Sequence, residues 1–213
     1  MPKPLRIMIF GGPGSGKSTL ARQIGALSGL PVVHIDPMYW APNWVQRERA
    51  ETLAMSLAAA ASETWVFEGN HAETMDARME RADVIIFLDL PRTLRMLRIL
   101  RRIWAYRGQT RPDMPANCPE RLDFTFLCDF VWNYGTRARP RAMAILARWQ
   151  GKRRIYHLRS AGDLRRMMGD ADFLAQVRGY SSAASISSAS SHKSAASPLA
   201  SSTTDTPVVR LRR

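Results

Sequence analysis

Residues 11–18, Gly11-Gly12-Pro13-Gly14-Ser15-Gly16-Lys17-Ser18, fit the spacing G-x-x-x-x-G-K-[ST]. Glycines in such a run let successive backbone N–H groups turn inward around an anion, and Lys17 adds a charge that reaches the β- and γ-phosphates of a nucleotide. The Ser18 hydroxyl is a ligand for Mg²⁺, and a helix opening here adds its partial positive charge. The expected nucleotide contacts are Gly12, Gly14, Ser15, Gly16, Lys17, Ser18 and Thr19, with ATP and Mg²⁺ as the implied cofactors.

Further residues at four places along the chain carry groups suited to chemistry at a bound phosphate or its acceptor. Asp36 follows the apolar run 31–35, where it can accept a hydroxyl proton or hold Mg²⁺ through water. Its alternative role is a turn former before Pro37. Glu68 ends a second apolar run, and Asn70 and His71 follow it as candidate acceptor contacts. A strand-end carboxylate also caps helices, and His71 also reads as an ordinary polar loop residue. Asp89 closes a third apolar run and is a possible second Mg²⁺ neighbour, or the cap of the next helix. Trp40, with Tyr39 and Trp44, either walls an acceptor pocket or plugs a Pro-rich loop.

Those residues need strands to end where they stand. Residues 5–10, 31–36, 65–68, 83–89 and 154–158 read as five strands; the near-continuous apolar character of 83–89 marks a sheet covered on both faces. Helices are expected over 18–28, 46–62, 72–81, 91–107, 120–132, 140–150 and 163–178, with loops at 37–45 and 108–119. Leu122, Phe126 and Phe130 mark the apolar face of the 120–132 helix. Alternating strand and helix define an α/β fold: a three-layer P-loop architecture with a five-stranded parallel sheet and helices on both faces.

Charge is unevenly placed. The chain of 213 residues carries 31 Lys+Arg against 18 Asp+Glu, a net +13. Residues 92–154 alone hold fifteen basic and four acidic side chains, enough to attract a polyanion. Arg95, Arg98 and Arg102 fall on one helical face, either a solvated row or a set of cations for phosphoryl transfer. Arg107, Arg111, Arg137, Arg139 and Arg141 flank the loop that follows. No apolar run approaches the roughly 20 residues a membrane span needs. Cys118 and Cys128 lack zinc spacing and read as reduced thiols of a cytoplasmic protein. From residue 180 the chain is Ser-rich, read as a disordered tail whose closing VVRLRR is a docking peptide or solvated coil. Residues 1–179 then form one unit.

The segments GGPGSGKSTLA (11–21), VVHIDPMYW (32–40), WVFEGNH (65–71), FLDLPRTLRMLRILRR (87–102) and RPDM-x-x-x-CPER (111–121) resemble the adenylate-kinase-like P-loop kinases. More narrowly, they resemble bacterial topology-modulation or adenylate-kinase-related proteins. The resemblance implies phosphoryl transfer to a small acceptor beneath an Arg-rich helical lid at about 105–140. By the same carry-over Arg98 lies against adenine, and Arg102 acts near the phosphates beside Lys17 and Asp36. The family's D-G-F-P-R, whose Arg grips AMP, is replaced here by Glu68-Gly69-Asn70-His71-Ala72, so AMP is a poor acceptor candidate. Asp36 instead resembles the acceptor-facing Asp of shikimate- and gluconate-type kinases. A second functional reading is nucleotide-regulated nucleic-acid binding, and a third is a 5′-hydroxyl polynucleotide kinase.

Overall fold

The computed structural model describes residues 4–180. The tail expected beyond residue 180 lies outside them; Tyr180 itself is helical and packs against the core. Five strands form the sheet: β1 (Arg6–Gly11), β2 (Val32–His34), β5 (Trp65–Glu68), β6 (Val84–Leu88) and β7 (Arg154–Leu158), with β3 (Trp40–Ala41) and β4 (Val45–Gln46) forming a separate hairpin. Their order is β2-β5-β1-β6-β7, and every neighbouring pair is parallel.

Alternation along the central strands divides the core. Ile7, Ile9, Val84, Ile86 and Leu88 join Leu20 and Ile24 of helix α1 (Lys17–Ser28), with Phe173 and Val177. Met8, Phe10, Ile85 and Phe87 point the other way, onto Met75 and Met79 of α4 (Ala72–Arg81) and onto Ile145 and Leu146 of α7 (Arg139–Trp149). Successive side chains of a strand face opposite sides, so continuously apolar strands require helices on both faces.

Gly16 starts α1 with a left-handed φ of 94°. Gly29 ends it with φ 73°, its N–H reaching the Gly25 carbonyl at 2.8 Å. An αL residue just beyond a helix satisfies a carbonyl left open by the last turn.

Three elements depart from expectation. Residues 37–45 are not plain loop: α2 (Asp36–Tyr39) leads into a small hairpin of β3 (Trp40–Ala41) and β4 (Val45–Gln46) around a 3₁₀ turn at Pro42–Trp44. The hairpin closes because Asn43 and Trp44 both take positive φ. Helix α3 (Arg49–Ala61) follows, and α5 spans Arg92–Ala105. The 120–132 helix starts only at residue 124, where the Asp123 carboxylate accepts from Phe126 N–H, and its Phe126–Trp132 part is a π-helix. Asn133 N–H bonds to Cys128 C=O, five residues back. Leu127 and Val131 pack against Ile99 with Phe126 partly buried beside them, whereas Phe130, and Leu122 ahead of the helix, are exposed, contrary to the expected face. Helix α6 (Tyr134–Arg137) links this segment to α7. The last helix is two: α8 (Ala161–Gly169) and residues 171–180, broken where the Asp170 carboxylate caps Phe173 N–H.

Candidate functional site

Strands β1, β5 and β2 end side by side, so the loop after β1, Glu68 and Asp36 share one edge of the sheet. In open parallel sheets that carboxyl edge is where ligands bind. The loop is braced from two sides. Asn70 clamps Gly11, accepting from its N–H at 3.1 Å and donating to its carbonyl at 2.7 Å. Arg95 of α5 is buried with its guanidinium over the Tyr134 ring, and donates to the carbonyls of Leu90 and Pro13. Arg98 donates to the Ser15 carbonyl at 3.0 Å. Carbonyls of the loop are thus held from outside. A methyl group on Gly12 would stand 2.7 Å from Arg95 Nη1, so a side chain there would push the brace aside.

Lys17 lies across the mouth of this loop, with Nζ 3.3 Å from the Gly12 carbonyl. Burial lowers its pKa below the ordinary lysine value; Glu68 and Asp36 pull it up, and Arg102 and Arg111 push it down. Those five charges therefore share one site. Ser18 Oγ donates to Glu68 Oε1 at 3.1 Å, and His34 Nδ1 lies 2.7 Å from the same oxygen. Asp113 is buried close to Ser18. Burial alone would raise its pKa, but the Arg111 charge and the hydrogen bonds outweigh that and hold it low. Asp36, the first residue of α2, is shifted upward by burial and next by the Glu68 charge.

Other expected site residues lie elsewhere. Asp89 does not meet Ser18; the carboxylate on Ser18 is Glu68. Asp89 takes two hydrogen bonds from Arg139, at 2.8 and 2.7 Å, with His157 Nε2 2.9 Å from its second oxygen. Burial pushes its carboxyl up, but these partners pull it below 3.8. A carboxyl depressed in the fold stabilises it above the unfolded value, and that contribution is lost as pH falls through the folded value. Wild-type melting temperature should therefore fall more steeply below pH 3.8 than that of Asp89→Asn, as a thermal scan against pH will show.

The Arg98 guanidinium is spent on the loop backbone, Asn70 on Gly11, and His71 Nδ1 lies 3.2 Å from Thr74 Oγ1. Thr19 is exposed, and Trp40 packs edge-on against Trp44 and Tyr39. Arg137 pairs with Asp129 and Arg139 with Asp89, so of the lid-flanking arginines Arg111 is the one set among the charges around Lys17.

Three contributors escaped the sequence reading. Asp113 and Glu120 sit inside the quoted RPDM and CPER segments, so their positions were visible but their roles were not. Arg78 looked like one more arginine on a short amphipathic helix. It is fully buried, over the Phe67 ring, and donates to the carbonyls of Gly69 and His71 at 3.0 Å each. Burial pulls its pKa down to about 9. It locks the Glu68–His71 turn, where Gly69 takes φ 115° and a methyl group would stand 2.2 Å from Ile35 Cγ2. Arg78→Met strands two buried carbonyls, a loss only partly offset by removing a buried charge; the net cost should be about 2 kcal/mol, read by urea unfolding.

Sheet order, glycine loop and helix entry together define a P-loop α/β protein. No family model and no curated protein matches the chain. Similar solved structures include shikimate kinase from Acinetobacter baumannii in complex with shikimate, at 14% identity and TM-score 0.47, covering 91% of this chain and 97% of that one. A gluconokinase from Sinorhizobium meliloti 1021 gives 15% and 0.41, covering 91% and 99%. A sugar kinase from Janibacter sp. HTCC2649 gives 13% and 0.44, covering 84% and 99%. Likeness at this level carries no conclusion about activity.

Proposed function

We propose that this protein transfers the γ-phosphate of Mg²⁺-bound ATP to a small acceptor bearing a hydroxyl group. The observation that carries this reading is the convergence on one sheet edge of Lys17, Ser18, Asp36, Glu68, Arg102 and Arg111. The loop fits a phosphate on its own evidence: Ser15 Oγ is buried with no hydrogen-bond partner, a vacancy in bonding that a phosphate oxygen satisfies. Ser18 and Glu68 are the groups that would hold Mg²⁺, Glu68 through water. Held there, Mg²⁺ would supply positive charge against that of the phosphates.

Asp36 is the candidate base. Its raised pKa makes it a better proton acceptor than an exposed aspartate, provided it is ionised at the working pH. Lys17 and Arg102 stabilise charge on the transferring group. The acceptor site lies between Asp36 and the hairpin carrying Trp40. That hairpin is closed against 116–119: Trp44 Nε1 donates to the Pro119 carbonyl and Asn43 N–H to that of Ala116. The segment 68–72 offers no arginine to grip a nucleotide monophosphate, and Asn70 is already engaged with Gly11. This favours a hydroxyl over AMP.

Nucleic-acid binding is the weaker alternative. It needs the arginine row of α5 on the surface, yet Arg95, Arg98 and Arg102 turn toward the loop and Glu120.

Labelled [γ-³²P]ATP with Mg²⁺, offered to a panel of nucleoside monophosphates, nucleosides, hydroxylated metabolites and a 5′-OH oligonucleotide, tests the reading. Label on a small hydroxylated acceptor, absent with Lys17→Ala, is expected. Intact ATP binding with no transfer to any acceptor contradicts it.

A further inference from the structure

Between α5 and the segment at 107–121, one buried carboxylate serves two guanidinium groups. Glu120 Oε1 lies 3.1 Å from Arg102 Nε and 2.5 Å from Arg111 Nε, and Oε2 lies 3.4 Å from Arg102 Nη2. Glu120 is 6% exposed. Its backbone is pinned too, by hydrogen bonds from Glu120 N–H to the Gln109 carbonyl and from Gly108 N–H to its own carbonyl. Arg111 is further held by Asp113 at 3.0 Å.

Two partly buried guanidinium groups this close repel. Arg102 is shifted downward first by burial and next by the Arg111 charge. They remain together because Glu120 lies between them. The Nε contacts are ion pairs without hydrogen-bond geometry; the directional bonds run from Arg102 Nη2 to Glu120 Oε2 and from Arg111 Nη1 to Asp113 Oδ2, and Arg102 Nη1 and Arg111 Nη2 have no hydrogen-bond partner among the described residues. Both cations lie in electrostatic reach of Lys17.

We infer that Glu120 is a positioning residue that holds Arg102 and Arg111 as a paired clamp on the transferring phosphoryl group. This rests on the phosphotransferase reading. Glu120 touches no substrate; it fixes two side chains that do. Directional donors held in place before reaction need no reorganisation when charge develops. Loss of that alignment lowers the rate without removing any phosphate ligand. Removing the negative charge also leaves the ground-state phosphate site more positive, so nucleotide affinity should not fall.

The test measures Mg²⁺·ADP affinity by calorimetry, with and without aluminium fluoride, a mimic of the moving phosphoryl group. Wild type should bind ADP more tightly when the fluoride is present. Glu120→Gln should keep ADP affinity, or tighten it, and lose about tenfold of the fluoride-dependent gain. Glu120→Asp keeps the charge one methylene short and should recover part of that gain; it also serves if Glu120→Gln does not fold. A purely structural role would instead weaken ADP binding and lower the melting temperature together, and that result overturns the proposal. So does a full fluoride gain in Glu120→Gln, or no gain in a wild type that binds ADP. A wild type that does not bind Mg²⁺·ADP overturns the phosphotransferase reading itself.

Discussion

Asp36→Asn should raise the melting temperature at neutral pH while removing most of the transfer rate. The two effects share a cause. Burial, and then the Glu68 charge, hold the Asp36 carboxyl above its ordinary 3.8, with Lys17 and Arg111 offsetting only part. A carboxyl whose folded pKa is raised binds its proton more tightly in the fold than in the unfolded chain. Below pH 3.8 both states are protonated and ionisation costs the fold nothing. As pH rises above 3.8 the unfolded chain ionises first, and the cost grows until the pH passes the folded value, then stays. An amide of the same shape carries no such cost. The stability difference between variant and wild type should therefore vanish below pH 3.8 and reach its plateau above the folded pKa, which thermal melts across pH will show. The rate should fall about 10²–10⁴-fold, the range for losing a positioned general base. Equal stability at neutral pH, or an unchanged rate, would remove Asp36 from the chemistry.

Lys17→Ala should lower transfer by about 10²–10³-fold, the usual consequence of deleting one preorganised charge from a water-poor site. The ammonium lies 3.3 Å from the Gly12 carbonyl. Arg102 and Arg111 are tied to Glu120 and cannot advance to replace it without breaking that contact. Magnesium affinity at Ser18 and Glu68 should persist, because neither depends on Lys17 for its hydrogen bond. Steady-state kinetics separate these effects: kcat should fall much more than KM for ATP rises. A wild-type kcat would sink the assignment.

Much of this protein is decided by local pattern. Five short runs read as strands from their own residues, the continuously apolar 83–89 as one covered on both faces, and 72–81 is a helix in sequence and structure alike. The glycine loop is equally local: its eight residues act through their own backbone, so their spacing suffices to recognise it. What local pattern misses are partnerships across the chain. Residues 37–45 close as a hairpin because Trp44 and Asn43 bond to 116–119, more than 70 residues away. The buried side of the 124–132 helix is Leu127 and Val131, set by where Ile99 of α5 stands, which an i, i+4 count along the segment does not register.

The same holds at the site. Asp89 and Glu68 look alike in sequence, each a carboxylate closing an apolar strand. Glu68 meets Ser18, whereas Asp89 pairs with Arg139 and His157. The roles of Arg78, Asp113 and Glu120 depend on which carbonyl or guanidinium stands opposite. Sequence alone determined the elements and the phosphate loop, because period and backbone freedom are properties of neighbouring residues. Only the tertiary structure decided which charges meet, because an ion pair's strength depends on distance and burial, and neither is encoded in spacing along the chain.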